Sequence, residues 1–388
     1  MKPAIEGGHP QRKTFLVFGK PDIHNEEIEE VVKTLKSGWI SHGPRVEKFE
    51  QDFRHYKNVS YALALSSCTA GLFLILKGLG IKEGKKVLLP SFTFVSTANV
   101  IIHLGAEPVF LDIDEDTMNV SLDEIHKNMD KAHALIAVHL AGYPAPVSGL
   151  KSKILLIEDA AHAVETYLDE TPAGKIGHAA SFSFYATKNI TTAEGGMVTT
   201  EDEELYNYIK IARLHGLSKD AWKRYDAHST NSYEAILPGY KFNLTDIQAA
   251  IGIHQLKRIE DSYKKRKKIW EFYTNELKDN KFIITPHLPE RGRHALHLYI
   301  IRLRLNTIKV DRSFIIQALK HENIGTGIHF KAVHLHKFYR NMFPHIHLPV
   351  SEKLSNEVLS LPLTAGMSLK DAQDVVSALK KILKYYER

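Results

Sequence analysis

Ser181-Phe-Ser-Phe-Tyr-Ala-Thr-Lys188-Asn-Ile-Thr-Thr-Ala-Glu-Gly-Gly196 passes from an apolar, strand-like run into a polar, turn-rich one and delivers a single lysine at the change. Upstream, Ile154-Leu-Leu-Ile-Glu-Asp159-Ala-Ala-His162 does the same for one carboxylate, Asp159. Similar runs recur outward from this pair. Residues 62–66, 86–89, 108–112, 134–139, 154–158, 181–185 and 197–200 read as strands, with helical patterns between several of them, as at 69–79 and 92–104. Continuous apolar strands alternating with helices predict an α/β fold, here a seven-stranded, mostly parallel sheet buried on both faces. Ligands of such sheets gather beyond the carboxyl ends of the strands, where Asp159 and Lys188 fall. The connection 142–154 is short and carries Pro144 and Pro146, so it reads as a turn or a stunted helix.

Before the sheet, Asn25 reads as the N-cap of a helix that Gly38 stops, with Ile28, Val31, Val32 and Leu35 on one face. A second helix covers about 46–56. The pattern changes after residue 252. A long helix at 253–278 precedes a strand pair near 282–285 and 296–303, and a helix starts near Asp311. The last helix opens with a capping box, Ser368 to Asp371. The expected division is a large α/β domain with N-terminal helices, 1–252, and a smaller C-terminal α+β domain, 253–388.

A lone amine and a lone carboxylate at the ends of buried strands suit pyridoxal 5'-phosphate. The Lys188 amine condenses with the aldehyde, and Asp159 keeps the pyridine nitrogen protonated so that the ring accepts electrons. The plainer alternative is two strand-end charges facing solvent. Ser66-Ser-Cys-Thr-Ala-Gly71 lies between a strand and an apolar helix, where free backbone N–H groups bind phosphate, although any N-cap looks similar. Ser183 could add a hydroxyl, and Phe94 could stack on a flat ring. His162, three residues after Asp159, reaches the same place if the turn curls helically; a buried structural histidine is the competing reading. Gly195-Gly196 suggests a close backbone approach, and Asn243 stands in a normal N-cap position before an amphipathic helix.

Composition narrows the rest. The 388 residues allow two or three domains, and 44% hydrophobic content is ordinary for a globular chain. No run of eighteen apolar residues exists, so no membrane partner is expected, and residues 1–13 lack the apolar core of a secretory signal. Cys68 is the sole cysteine, which fits a reducing, cytoplasmic setting. Lys plus Arg is 51 against 45 Asp plus Glu, a mild excess of +6 that suits a small anionic substrate and does not call for nucleic acid. The basic run 264–268 falls within helical spacing and reads as a solvated helix face. His334 with His336, and His345 with His347, form two HxH pairs; solvated loop residues are the favoured reading and no metal is expected. No phosphate loop of the GxxxxGK[ST] type and no GxSxG nucleophile turn is present.

Three stretches occur in order: Glu158-Asp-Ala-Ala-His-Ala163, Ser181-Phe-Ser-Phe-Tyr-Ala-Thr-Lys-Asn189 and Pro238-Gly-Tyr-Lys-Phe-Asn-Leu-Thr-Asp-Ile-Gln-Ala-Ala250. Together they resemble the DegT-like sugar-nucleotide aminotransferases, which have the aspartate-aminotransferase (type I) fold. Ser66–Gly71, Leu214–Trp222 and Thr326–His334 look most like the UDP-4-amino-4-deoxy-L-arabinose aminotransferase branch. The resemblance implies that Lys188 carries the cofactor and shuttles the proton, while Asp159 pairs with the pyridine nitrogen. His162 would sit beside the ring and Phe94 would stack on it. Cys68, Thr69 and Ser183 would hold the phosphate, with Asn243 reaching it from a partner subunit, so a homodimer is implied. His329 would lie near the sugar-nucleotide. The implied donor is L-glutamate and the acceptor a nucleotide-linked 4-keto sugar. The alternatives are a 3-keto sugar, or a non-catalytic regulator that kept the fold; a 3-dehydratase of the same fold is disfavoured by Lys188 and the single cysteine. Two departures bear on the site rim: Glu165 stands where the family usually has glycine, and the 142–154 connection is shorter than usual.

Overall fold

The computed structural model describes residues 2–217 and 234–388. The stretch beginning at Leu214 runs past residue 217, so its part from residue 218 to Trp222 lies outside the described residues.

Seven strands form the main sheet: β1 (Tyr61–Leu65), β2 (Lys86–Pro90), β3 (Glu107–Leu111), β4 (Ala134–Val138), β5 (Leu155–Asp159), β8 (Ala179–Ser183) and β9 (Gly196–Thr200), with a small hairpin, β6 (Tyr167–Leu168) and β7 (Thr171–Pro172), between β5 and β8. The spatial order is β1-β9-β8-β5-β4-β2-β3. Only β9 runs against its neighbours, pairing antiparallel with both β1 and β8. All seven predicted strands are present, within two residues of the expected bounds.

Alternation along each strand builds two cores. In β1, Leu63 and Leu65 point to one face, with α3 (Cys68–Gly78), and Ala62 and Ala64 to the other. The second face is covered by α2 (Pro44–Lys57), which buries Val46, Phe49 and Phe53, and by helix Asp246–Lys257, which also packs on α1 (Asn25–Ser37). Helices α3 (Cys68–Gly78) and α4 (Val95–His103) follow β1 and β2. No helix bridges β4 and β5. A single 3₁₀ turn, Leu140–Gly142, does so, as the two prolines predict.

The small sheet has three antiparallel strands, β10 (Ile283–Ile284), β11 (Tyr299–Leu303) and β12 (Val358–Leu361). Its core holds Tyr273, Tyr299 and Leu379, and Ile5 and Leu16 from the N-terminal segment pack against it. Residue 252, the expected division, falls inside helix Asp246–Lys257.

Several local expectations need correction. His24, not Asn25, caps α1, because the Glu27 carboxylate accepts the His24 N–H at 2.9 Å. Thr245, not Asn243, caps the helix that follows, through a box with Gln248. The single helix expected over 253–278 is two, Asp246–Lys257 and Ile259–Leu277. Arg258 breaks it at φ −106°, ψ 13°, with its guanidinium drawn to Asp22 O and the Glu27 carboxylate. In the basic run, Lys264, Lys265 and Lys267 are exposed but Arg266 is buried against Glu165. His334 is also buried, with Nδ1 2.6 Å from Ser91 Oγ, so it is not a solvated loop residue. On α1, Ile28, Val32 and Leu35 are exposed rather than packed.

Candidate active site

The sheet brings the expected residues to one place. Asp159 ends β5 in the middle of the sheet, in register with Val138 of β4 and Ser181 of β8. Five residues beyond β8, Lys188 follows a tight turn closed by its own N–H on Tyr185 O at 2.9 Å. Both side chains line a cavity of about 360 Å³. Cys68, Thr69, Phe94, His162, Ser183 and His329 line it as well. Asn243 does not line the cavity of its own chain. Its Nδ2 donates to Leu244 O at 3.0 Å, and its backbone bridges to Leu65.

Asp159 is buried, and its oxygens are held separately. Thr97 Oγ1 donates to Oδ2 at 2.8 Å, and the Ala161 N–H donates to Oδ1 at 3.2 Å. The Cys68 thiol lies 3.9 Å from Oδ1 and 3.3 Å from Ser181 O. Burial raises the Asp159 carboxyl above its ordinary range, opposed by those two hydrogen bonds and by the Lys188 charge. A cation placed beside Asp159 therefore restores what burial removes. Burial also raises the Cys68 thiol, and the Asp159 charge adds to this, so Cys68 stays a neutral thiol.

The Lys188 amine is lowered to about 8 by desolvation, against the opposing pull of Cys68 and Asp159. An amine with that value is partly neutral near physiological pH and can attack a carbonyl. His162, His297 and His329 line the cavity too, and burial together with the Lys188 charge keeps all three neutral. His162 stacks on Phe330 with ring centroids 6.0 Å apart, and Phe94 turns an exposed ring into the cavity.

An anion subsite lies at the start of α3. Ser67 caps the helix, accepting the Ala70 N–H at 3.0 Å, which leaves the earlier N–H groups of the first turn for a ligand. Gly196 abuts this turn: a Cβ there would meet Ser67 C at 2.4 Å and Cys68 N at 2.5 Å. The amine, the buried carboxylate and the helix N-terminus match the aldehyde, the pyridinium nitrogen and the phosphate of pyridoxal phosphate.

Sequence reading missed Thr97 and His297. Thr97 lies one turn into α4 after Phe94, so its spacing from that aromatic was the available signal. His297 stands alone in the apolar Ala295-Leu-His-Leu-Tyr299, which reads as a strand lead-in. Glu165 lies buried beneath the cavity wall instead of at its rim.

The family model of the DegT/DnrJ/EryC1/StrS aminotransferases matches residues 21–380. The spore coat polysaccharide biosynthesis protein SpsC of Bacillus subtilis is 44% identical over 383 residues, covering 96% of this chain and 98% of SpsC. The sugar aminotransferase Spr1654 of Streptococcus pneumoniae, described as putative and solved in its PMP form, superposes with a TM-score of 0.87 at 31% identity, covering 96% of this chain and 98% of its own. DesI, solved in the presence of its TDP-sugar product, gives a TM-score of 0.86 at 29% identity, with 97% and 95% covered. No helix among the described residues is long and apolar enough to cross a membrane. The match over nearly the whole length, with the lysine, carboxylate and helix N-terminus in place, means that the chain belongs to the DegT/DnrJ/EryC1/StrS aminotransferase family and is a pyridoxal-phosphate-dependent enzyme.

Proposed function

We propose that this sugar aminotransferase moves an amino group from L-glutamate to a nucleotide-linked 4-keto sugar. The observation that carries the reading is one cavity faced by a Lys188 amine near pKa 8, a buried Asp159 carboxylate and three neutral histidines. When bound, pyridoxal phosphate supplies the electron sink and carries the nitrogen between the two substrates. Lys188 Nζ holds the cofactor, takes the proton from the α-carbon of glutamate, and returns a proton to the sugar carbon that gains nitrogen. Asp159 holds the proton on the pyridine nitrogen, and Thr97 holds Asp159. Cys68, Thr69 and Ser183 take the phosphate, Phe94 and His162 flank the ring, and His329 faces the sugar-nucleotide. The basic balance of the chain suits a diphosphate, and DesI was solved with a TDP-sugar. Position 4 rests on the likeness of residues 214–222 and 326–334 to the UDP-4-amino-4-deoxy-L-arabinose aminotransferase branch; the 3-keto sugar is the runner-up.

The working unit in this proposal is a homodimer in the cytoplasm. The exposed Ile28 and Val32 line an apolar groove of about 390 Å³, and Leu35 is exposed on the same helix. Ala186, Thr191 and Ala193 also line that groove, so it adjoins the Lys188 turn. A second copy seated there brings its Asn243 to the phosphate. The division at 252 puts the cofactor mainly on the first domain.

The test is a panel of UDP- and dTDP-linked 3-keto and 4-keto sugars with glutamate, with the product nitrogen located by NMR. Amination at C4 supports the reading, and amination only at C3 moves it to the runner-up.

A further inference from the structure

Behind the cavity wall, Glu165 and Arg266 form a buried ion pair that the chemistry above does not use. The second oxygen of Glu165 accepts from Asn189 Nδ2 at 2.9 Å, and the same amide nitrogen donates to Ala295 O at 2.9 Å. Asn189 Oδ1 lies 2.9 Å from His297 Nδ1. Asn189 is the residue after Lys188, and His297 lines the cavity. The chain of contacts therefore runs from a buried cation to the cavity surface.

Donor and acceptor rules fix its sense. A carboxylate and a carbonyl only accept, so both Nδ2 hydrogens of Asn189 are committed and its Oδ1 must face the ring. His297 Nδ1 then carries the hydrogen, and Nε2 keeps a lone pair. Nε2 has no hydrogen-bond partner among the described residues. His162, 4.5 Å away between ring centroids, is fixed the opposite way: its Nδ1 accepts the Ala141 N–H at 3.2 Å, so its Nε2 bears the hydrogen. Two adjacent imidazoles thus offer one donor and one acceptor.

We propose that Glu165, anchored by Arg266, is a positioning residue that orients Asn189 and locks His297 as a hydrogen-bond acceptor for a hydroxyl of the sugar substrate. The hydroxyl part rests on the sugar-aminotransferase reading; the locking of His297 does not. Burial and the Lys188 charge keep the His297 ring neutral, which preserves the lone pair. Glu165 takes one of the two amide hydrogens, so without it the Asn189 amide has only Ala295 O to hold its sense.

The test uses pyridoxal-phosphate-loaded enzyme with ¹⁵N-labelled histidine. His297 is assigned by the signal lost in His297→Phe. Wild type should show His297 as the neutral Nδ1–H form. Two variants remove the relay in different ways. Asn189→Ala leaves the ion pair intact, and the double change Glu165→Met with Arg266→Met replaces the pair by apolar side chains, which buried pairs tolerate. In both, His297 should move to a mixture of tautomers. The return reaction with a UDP-linked 4-keto-6-deoxy sugar should lose about tenfold more in kcat/KM than the glutamate half-reaction, chiefly through KM, as expected for one hydrogen bond. An Nε2–H form in wild type, or an unaltered Nδ1–H form in both variants, overturns the locking. Equal losses in both half-reactions overturn the hydroxyl role. If no keto sugar reacts with wild type, the function reading fails, and the tautomer signals alone decide the locking.

Discussion

Thr97 Oγ1 donates to Asp159 Oδ2 at 2.8 Å, inside the sheet's carboxyl edge where both residues are buried. The bond orients the carboxylate and opposes the burial that raises its pKa. Asp159→Asn keeps the shape and the Thr97 contact but removes the charge. Cofactor occupancy should persist while turnover falls by ~10²-fold or more, because a neutral amide cannot hold the pyridine nitrogen protonated. Steady-state turnover beside absorbance-measured occupancy checks this, and near-normal turnover would sink the role given to Asp159.

Lys188 sets a pH dependence. Its folded value of about 8 lies below the ordinary lysine value of 10.5, so the neutral, nucleophilic amine gains population as pH rises towards 8. Capture of pyridoxal phosphate by the apoprotein should therefore quicken about tenfold per pH unit below that value and level off above it. A rate still climbing at the same slope to pH 10 contradicts the lowered value. Borohydride should fix the cofactor to the peptide containing Lys188.

Gly196 has no room for a side chain because Ser67 and Cys68 backbone atoms press on it. Gly196→Ala should push β9 from the α3 N-terminus and weaken pyridoxal phosphate binding by about tenfold or more through the phosphate subsite. Equilibrium dialysis reads the affinity. Unaltered affinity would show that the α3 turn does not hold the phosphate.

The proposed dimer gives a complementation test. Lys188→Ala chains and Asn243→Ala chains should each be inactive, and subunit exchange should restore some activity in hybrids. Ile28→Glu should yield monomers by light scattering with loss of activity, since a charge on the groove opposes its burial. A fully active monomer, or no recovery after proven exchange, counts against the shared site.

The seven strands were legible because each is a continuous apolar run, and Asp159 and Lys188 stood out as charges at the ends of such runs. Cys68, Thr69 and Ser183, which line the cavity, were singled out by the family resemblance, since residues 66–71 alone read as any N-cap and Ser183 as a small strand residue. What escaped depends on contacts remote in sequence. Thr97 matters through a bond to a residue 62 positions away, and Asn189 reaches His297 across 108. Arg266 looked solvated because its neighbours are lysines, yet Glu165, 101 residues earlier, takes it into the interior. The break at Arg258 was hidden for the same reason: its partners, Asp22 and Glu27, come from the N-terminal segment. Strand β12 is short, and its partners, β11 and Gly327, are remote in sequence, so local pattern gave it little weight.

The most direct test follows the cofactor's absorbance through both halves of the reaction. Enzyme loaded with pyridoxal phosphate is mixed with L-glutamate alone, freed of small molecules, and then given a UDP- or dTDP-linked 4-keto sugar. The account predicts that glutamate converts the cofactor to its pyridoxamine form with release of 2-oxoglutarate, and that the 4-keto sugar restores the aldehyde form with one equivalent of amino sugar. Restoration only by 3-keto sugars or by ordinary 2-oxo acids, or no response to glutamate, would contradict it.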